Sequence, residues 1–212
     1  MKNKCLILDY GMGNIKSIEA ACHYNKIETI TSNKKEDIEK CGAIILPGVG
    51  SFKKAMENLN NLKISTTLKE HVLNKKPILG ICLGMQLLFE ESEEFGKTFG
   101  LGLLKGKVKK FNIIKINHNK IPHVGWNSIS FKEKSKEGTI LSSILDNEKM
   151  YFVHSFFVDP DNKSIISTTT NYGKFDFCSS VVSENIFATQ FHPEKSGLEG
   201  LKVYKEFKKK IV

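Results

Sequence analysis

Gly80-Ile81-Cys82-Leu83-Gly84 follows an apolar run and opens a stretch of helical character. A nucleophile held on a sharp strand-to-helix turn needs glycine two residues before and two residues after it, because the chain doubles back against its neighbours there. With cysteine at the apex, the N–H groups that begin the next helix favour the thiolate. The N–H of Leu83 lies where an oxyanion develops when the thiolate attacks a carbonyl. The competing reading is a buried cysteine beside two turn glycines.

A thiol nucleophile needs a base, and the base needs a group to orient it. Six histidines are present, at 23, 71, 118, 123, 154 and 192. His192 stands apart, because it ends the apolar run Ile186 to Phe191 and is followed across Pro193 by Glu194. On an extended backbone, positions i and i+2 project to the same side, and proline keeps the preceding residue extended. A carboxylate at 194 then holds the His192 ring in the tautomer whose Nε2 takes the thiol proton. Pro47-Gly48-Val49-Gly50 ends a third apolar run on the same edge of the expected sheet. Its glycines allow Val49 or Gly50 to present an N–H to a substrate carbonyl, or they form only a strand-to-helix turn. Gly11-Met12-Gly13 is not a dinucleotide fingerprint, because Lys16 occupies the third glycine position.

The elements that must carry these residues alternate in the first half. Strands are expected at Cys5 to Leu8, Ile27 to Thr31, Ala43 to Leu46 and Pro77 to Ile81. Helices are expected from Asn14 to about Asn25, from Ser51 to Asn74 with a break at 58–63, and from Leu83 to about Ser92. Such alternation implies a mostly parallel sheet flanked by helices. After Gly96 the residues become β-branched and aromatic. Strands are expected at Lys107 to Ile116, Trp126 to Phe131, Met150 to Val158, Ile165 to Thr170, Phe175 to Val182 and Ile186 to Phe191, so that the second half adds antiparallel strands. A final amphipathic helix, Gly197 to Lys210, carries Leu198, Leu201, Tyr204 and Phe207 at helical spacing. No repeat or linker divides the chain, and 1–212 is read as one α/β domain.

Composition excludes several roles. All 32 basic residues are lysine, and they are scattered, so the net charge of +9 describes a solvated basic surface; a nucleic-acid reader would use arginine for bidentate contacts. No apolar stretch reaches the ~20 residues of a membrane helix, and no signal peptide is expected. Five cysteines without a CxxC pair suggest neither a disulfide framework nor a metal site, and a reducing cytoplasm is the expected setting.

Gly80-Ile-Cys82-Leu-Gly84-Met85-Gln86 together with Phe191-His192-Pro-Glu194 resembles the class I (triad) glutamine amidotransferases. Asp9-Tyr-Gly-Met-Gly-Asn14, Pro47-Gly-Val-Gly50, Pro122-His-Val-Gly-Trp-Asn127, Tyr151-Phe-Val-His-Ser155 and Gln190-Phe-His-Pro-Glu-Lys-Ser196 resemble, more narrowly, the glutaminase subunits of imidazole glycerol phosphate synthase. The resemblance implies the flavodoxin-like open sheet of that class and hydrolysis of L-glutamine to glutamate and ammonia through a Cys82 thioester, without cofactor or metal. It implies His192 and Glu194 as the other triad members, N–H groups near Val49 and Gly50 and at Leu83 as the oxyanion hole, and Gln86, Ser155 and Phe156 around the substrate. It also implies a heterodimer with a cyclase of β/α-barrel form that receives the ammonia in histidine biosynthesis. Trp126, Tyr151 and Lys195 fall at the subunit interface, and glutaminase activity depends on the partner's ligand.

The family usually reads His-Ser-Tyr-Tyr where this chain has His154-Ser155-Phe156-Phe157. That departure, the stretch Phe175 to Ser179 and the missing arginines resemble paralogues that feed ammonia to surface-sugar amidotransferases making acetamidino sugars. A module that only binds a partner and a standalone cysteine hydrolase are the remaining alternatives. The intact triad residues argue against the first of these, and the interface-like Trp126 and Lys195 against the second.

Overall fold

Four short apolar runs, each four residues long and buried throughout, make the centre of the molecule: β1 (Cys5–Leu8), β3 (Ala43–Leu46), β4 (Ile78–Ile81) and β14 (Ile186–Thr189). A computed structural model describes residues 3–132 and 138–211. Strands buried on both faces must lie inside a sheet covered by helices. Here they sit in an eight-stranded sheet of order β2-β1-β3-β4-β14-β13-β12-β9. Its first five strands, with β2 (Thr29–Ser32) at the edge, run parallel. The remaining three, β13 (Phe175–Ser183), β12 (Ile166–Tyr172) and β9 (Ser130–Phe131), are antiparallel additions.

The covering helices are α1 (Ile15–Tyr24), α2 (Lys35–Lys40), α3 (Phe52–Asn61), α4 (Ser65–Leu73), α5 (Leu83–Leu87) and α6 (Gly197–Lys208). Asn14 caps α1 by accepting from the Ser17 N–H at 3.3 Å, as its position before the helix predicts. α3 buries Phe52, Ala55, Met56 and Leu59, an i, i+3, i+4, i+7 stripe. In α6 the buried stripe is Gly200, Val203, Tyr204 and Phe207, whereas Leu198 is 68% exposed. The expected stripe through Leu198 is therefore displaced at its first position.

Two smaller sheets lie beside the main one. β8 (His123–Ser128) pairs with β10 (Lys149–His154), and β11 (Phe156–Pro160), β7 (Leu104–Lys110), β5 (Phe89–Ser92) and β6 (Thr98–Phe99) form a four-stranded sheet. The expected strand over Met150 to Val158 is thus two strands, broken at Ser155. The helix expected to reach Ser92 stops at Leu87. Phe89 onward instead pairs with β7 in parallel, and Lys97 and Lys107 both reach the Glu91 carboxylate, so tertiary pairing overrides local helix propensity. Past Lys110 the expected strand gives way to turns, with the Asn112 side chain accepting from the Ile114 N–H. α2 carries no signal beyond a short acidic stretch. Among the described residues, no helix is long and apolar enough to cross a membrane.

Candidate active site

Cys82 and His192 are 110 positions apart in the chain, and strand pairing brings them together. β14 runs parallel to β4 with Thr189 opposite Ile81, and the Cys82 N–H donates to the Thr189 carbonyl at 2.8 Å. β3 flanks β4 on the other side with Leu46 opposite Gly80. The residues that leave β3, β4 and β14 at their carboxyl ends, Pro47 to Gly50, Cys82 and His192, therefore emerge side by side, where ligand sites of open α/β sheets lie.

Cys82 sits at φ 54°, ψ −107°, a combination that costs a non-glycine residue on the order of 1–3 kcal/mol. Close packing holds it there. A Cβ on Gly84 would stand 1.9 Å from the Leu46 carbonyl oxygen, and one on Gly80 would stand 2.9 Å from the Gly84 carbonyl oxygen. Both glycines of the pattern are required by approach distance. The thiol points towards the Val153 carbonyl at 3.8 Å and accepts from Gln190 Nε2 at 3.6 Å. Gln190 Oε1 in turn accepts from Gln86 Nε2 at 3.1 Å. Gln190 is fully buried, and nothing in its type singled it out; a polar residue ending an apolar strand two positions before His192 was the available signal.

His192 has extended dihedrals (φ −98°, ψ 96°), but Pro193–Lys195 is a turn of 3-10 helix and not the extended continuation expected. The turn brings Glu194 back, so that His192 Nδ1–H donates to Glu194 Oε1 at 2.7 Å with both side chains 2% exposed. Ser196 Oγ locks the turn by donating to the His192 carbonyl at 2.7 Å and accepting from the Tyr151 N–H at 2.9 Å. His192 Nε2 has no hydrogen-bond partner among the described residues. Burial pulls the His192 pKa down, but the neighbouring Cys82 sulfur and then Glu194 outweigh it and raise it well above the ordinary imidazole range. The other buried rings go the opposite way: burial lowers His71 and His123 to about 4 and His154 to about 3. His192 is the histidine whose surroundings favour the imidazolium.

A cavity of about 720 Å³ opens over Cys82. Val49, Gly50, Leu83, Gln86, Ser155, Phe156 and Lys195 line it, with Glu94, Lys110 and His154, which the sequence reading did not place there. Gln86 is already engaged, donating to the Phe156 carbonyl at 3.0 Å. Gly50 has φ +103°, and a Cβ there would meet the Met12 methyl at 2.9 Å. Tyr10 donates to the Pro47 carbonyl at 2.7 Å. The glycine-rich turn at 10–13 thus supports the Pro47 to Gly50 loop from behind. Trp126 and Tyr151 are cross-strand partners on β8 and β10, outside the cavity lining. Their rings meet edge to face at 6.1 Å, and Trp126 is 55% exposed. The five cysteines are free. Among the described residues no group of three or more His, Cys, Asp or Glu side chains is placed to hold a metal ion.

The family description "Glutamine amidotransferase class-I" matches residues 6–210. The imidazole glycerol phosphate synthase subunit HisH of Aquifex aeolicus is 43% identical over 98% of this chain and 97% of its own. Its namesake from Methanocaldococcus jannaschii is 47% identical over 95% of this chain and 96% of its own. Among solved structures, a glutamine amidotransferase superimposes with a TM-score of 0.73 at 18% identity, covering 96% of each chain. PurLQS from Thermotoga maritima superimposes at 0.70 with 20% identity, covering 97% of each. At such identities these two structures demonstrate a shared fold.

Proposed function

The chain belongs to the class I glutamine amidotransferases and, within them, to the HisH subunits of imidazole glycerol phosphate synthase, and from this we propose a working site for glutamine hydrolysis in histidine biosynthesis. The observation that supports the assignment of residues is the buried His192–Glu194 pair at 2.7 Å, with the His192 ring interacting with the Cys82 sulfur on its other side.

In this reading Cys82 Sγ attacks the side-chain amide carbon of L-glutamine. The carbonyl oxygen takes the negative charge, and N–H groups of Leu83 and of Val49 or Gly50 hold it. The imidazolium of His192 gives its proton to the amide nitrogen, the C–N bond breaks, and ammonia leaves. A γ-glutamyl thioester remains on Cys82. Neutral His192 then takes a proton from water, whose oxygen attacks the thioester carbon; the C–S bond breaks and glutamate departs. Glu194 keeps the ring in place through both halves. Gln86, Ser155 and Phe156 form the substrate wall. Glu94 supplies a carboxylate on the lining for the α-ammonium, and Lys110 and Lys195 supply cations for the α-carboxylate.

The ammonia goes to a β/α-barrel cyclase bound as a heterodimer partner in the cytoplasm, with Trp126, Tyr151 and Lys195 at the interface. Residues 1–212 act as one glutaminase domain. The substitution of phenylalanine at 157 has a packing explanation. Its ring is buried 5.0 Å from Phe111 and 5.1 Å from Phe175, and a hydroxyl among these rings would need a partner. At position 157 the departure therefore speaks to the core and not to the ammonia acceptor, whereas Phe156 lies on the cavity lining.

Two experiments test the reading. Cys82→Ala in the reconstituted complex is expected to abolish glutamine hydrolysis; retained hydrolysis would refute the nucleophile. Affinity capture on the tagged chain is expected to retain a histidine-pathway cyclase, and retention of a surface-sugar amidotransferase instead would transfer the chain to the paralogous pathway.

A further inference from the structure

A pair of buried histidines that the reaction above does not use runs from His154, on the cavity lining, to His123 behind it. His123 on β8 and His154 on β10 are 4% and 6% exposed, and their rings touch through Nδ1 of His123 and Nε2 of His154 at 3.1 Å. The direction of each hydrogen bond follows from its ends. His154 Nδ1 faces the Phe156 carbonyl at 2.8 Å, so this nitrogen carries the hydrogen. In a neutral ring Nε2 is then an acceptor, and His123 Nδ1 must donate to it. That leaves His123 Nε2 as an acceptor facing Asn127 Nδ2 at 3.4 Å. The Asn127 amide is oriented independently, with Nδ2 donating to the Asn171 carbonyl at 2.8 Å and Oδ1 accepting from the Ser128 N–H at 2.9 Å. One tautomer of each ring satisfies every group.

The surroundings keep both rings neutral. His123 stacks on Phe152 at 5.0 Å and lies against Tyr172 at 4.1 Å. His154 is boxed by Phe111, Phe152 and Phe177 at 5.0–5.7 Å. Burial is the main reason that His154 stays neutral, and His123 and then His192 further disfavour a proton on it. The chain of donors ends on a carbonyl that Gln86 also addresses at 3.0 Å. Two fixed donors converging on one carbonyl hold the Phe156–Phe157 peptide at the start of β11, just past the break from β10, where Phe156 lines the cavity.

We propose that His123 and His154 are positioning residues, whose directional hydrogen-bond chain from Asn127 sets the Phe156 carbonyl and thereby the wall that receives glutamine. The proposal rests on the glutamine reading of the cavity and adds what gives that cavity its shape. It places the effect on substrate binding, because neither ring reaches Cys82 by a hydrogen bond and neither need gain or lose a proton.

The test uses the complex with its synthase partner and three variants. His154→Phe keeps ring size and removes the donor to Phe156. His154→Asn restores a nitrogen at the same branch position. His123→Phe removes only the upstream donor. His154→Phe is expected to raise KM for glutamine about tenfold while kcat stays within about threefold, His154→Asn to recover most of that loss, and His123→Phe to fall between. An unchanged KM in His154→Phe, or His154→Asn as impaired as His154→Phe, would overturn the positioning role. Nitrogen-detected imidazole spectra should show both rings as neutral Nδ1–H tautomers from pH 7 to pH 5, and titration of either ring in that range would overturn it as well. Labelling of Cys82 separates this idea from its premise. A glutamine-shaped chloroketone should modify wild type faster than His154→Phe at low reagent concentration, with iodoacetamide modifying both equally. Equal chloroketone rates would defeat the positioning role alone, and a wild-type complex that resists the chloroketone would defeat the glutamine reading and this proposal with it.

Discussion

His192 Nδ1–H donates to Glu194 Oε1 at 2.7 Å across a single proline, within a 3-10 turn that buries both side chains to 2% exposure. A buried carboxylate beside an imidazole both selects the ring's tautomer and stabilises the imidazolium. Glu194→Gln keeps the volume and can keep one hydrogen bond, but it removes the charge and permits the wrong tautomer. Turnover in the activated complex is expected to fall by roughly a hundredfold or more, with the melting temperature changed little. Steady-state glutaminase assays beside a thermal melt check both halves. Unchanged turnover would remove Glu194 from the machinery.

The loop from Pro47 to Gly50 makes a separate demand. Gly50 lies at φ +103° with the Met12 methyl 2.9 Å from where a Cβ would be. A β-branched residue resists that backbone region. Gly50→Val is therefore expected to lower glutaminase activity of the complex at least about tenfold, while iodoacetamide still reaches Cys82. Undiminished activity would show that the reaction makes no use of this conformation. Gly84→Ala differs in kind, because its methyl would meet the Leu46 carbonyl oxygen at 1.9 Å. That clash involves backbone on both sides, and a loss of several kcal/mol in urea unfolding is expected.

Local chemistry explains which features could be anticipated. The elbow glycines, the His-Pro-Glu spacing and the buried runs of β1, β3, β4 and β14 declare themselves because each is a contiguous pattern with a steric or periodic cause. Gln190 and the His123–His154 pair do not, because their meaning depends on which strands become neighbours. The turn at 10–13 carried glycines with no assigned purpose until Met12 and Tyr10 were found against the Pro47 to Gly50 loop. Phe89–Ser92 misled for the same reason, since a short segment after a helix takes its state from the strand it meets.

Acid should destabilise the fold through its buried rings. Burial chiefly holds His71 and His123 at about 4 and His154 at about 3, below the ordinary 6.5 of the unfolded chain. A depressed folded pKa means that the unfolded chain binds more protons below 6.5. The contribution is therefore fully present above that pH and is lost as pH falls towards the folded values. Each ring costs up to roughly 1.4 kcal/mol per pH unit in that window. His192 has the opposite sign: its pKa is raised, so its contribution is complete below 6.5 and disappears only as pH rises through the folded value. Urea midpoints at pH 7, 6 and 5 should fall in sequence, and His71→Gln should flatten the slope. A midpoint independent of pH over this range would contradict the assignment of neutral rings.

Trp126 tests the proposed partner face without disturbing the cavity lining. Its indole is 55% exposed, packs edge to face on Tyr151, and shares one side of β8 with Val124, itself 56% exposed. Positions i and i+2 of a strand point the same way, so the two make an apolar patch that water covers only at a cost. Aromatic anchors of this kind, when buried by a partner, commonly contribute about 2 kcal/mol or more to association. Trp126→Ala is expected to weaken binding of the cyclase partner at least about tenfold in calorimetric titration, with the isolated chain melting at nearly the wild-type temperature because the ring is largely outside the core. Iodoacetamide should still label Cys82 at the wild-type rate, since Trp126 is not part of the cavity lining. Wild-type affinity in the variant would move the docking surface away from β8 and β10.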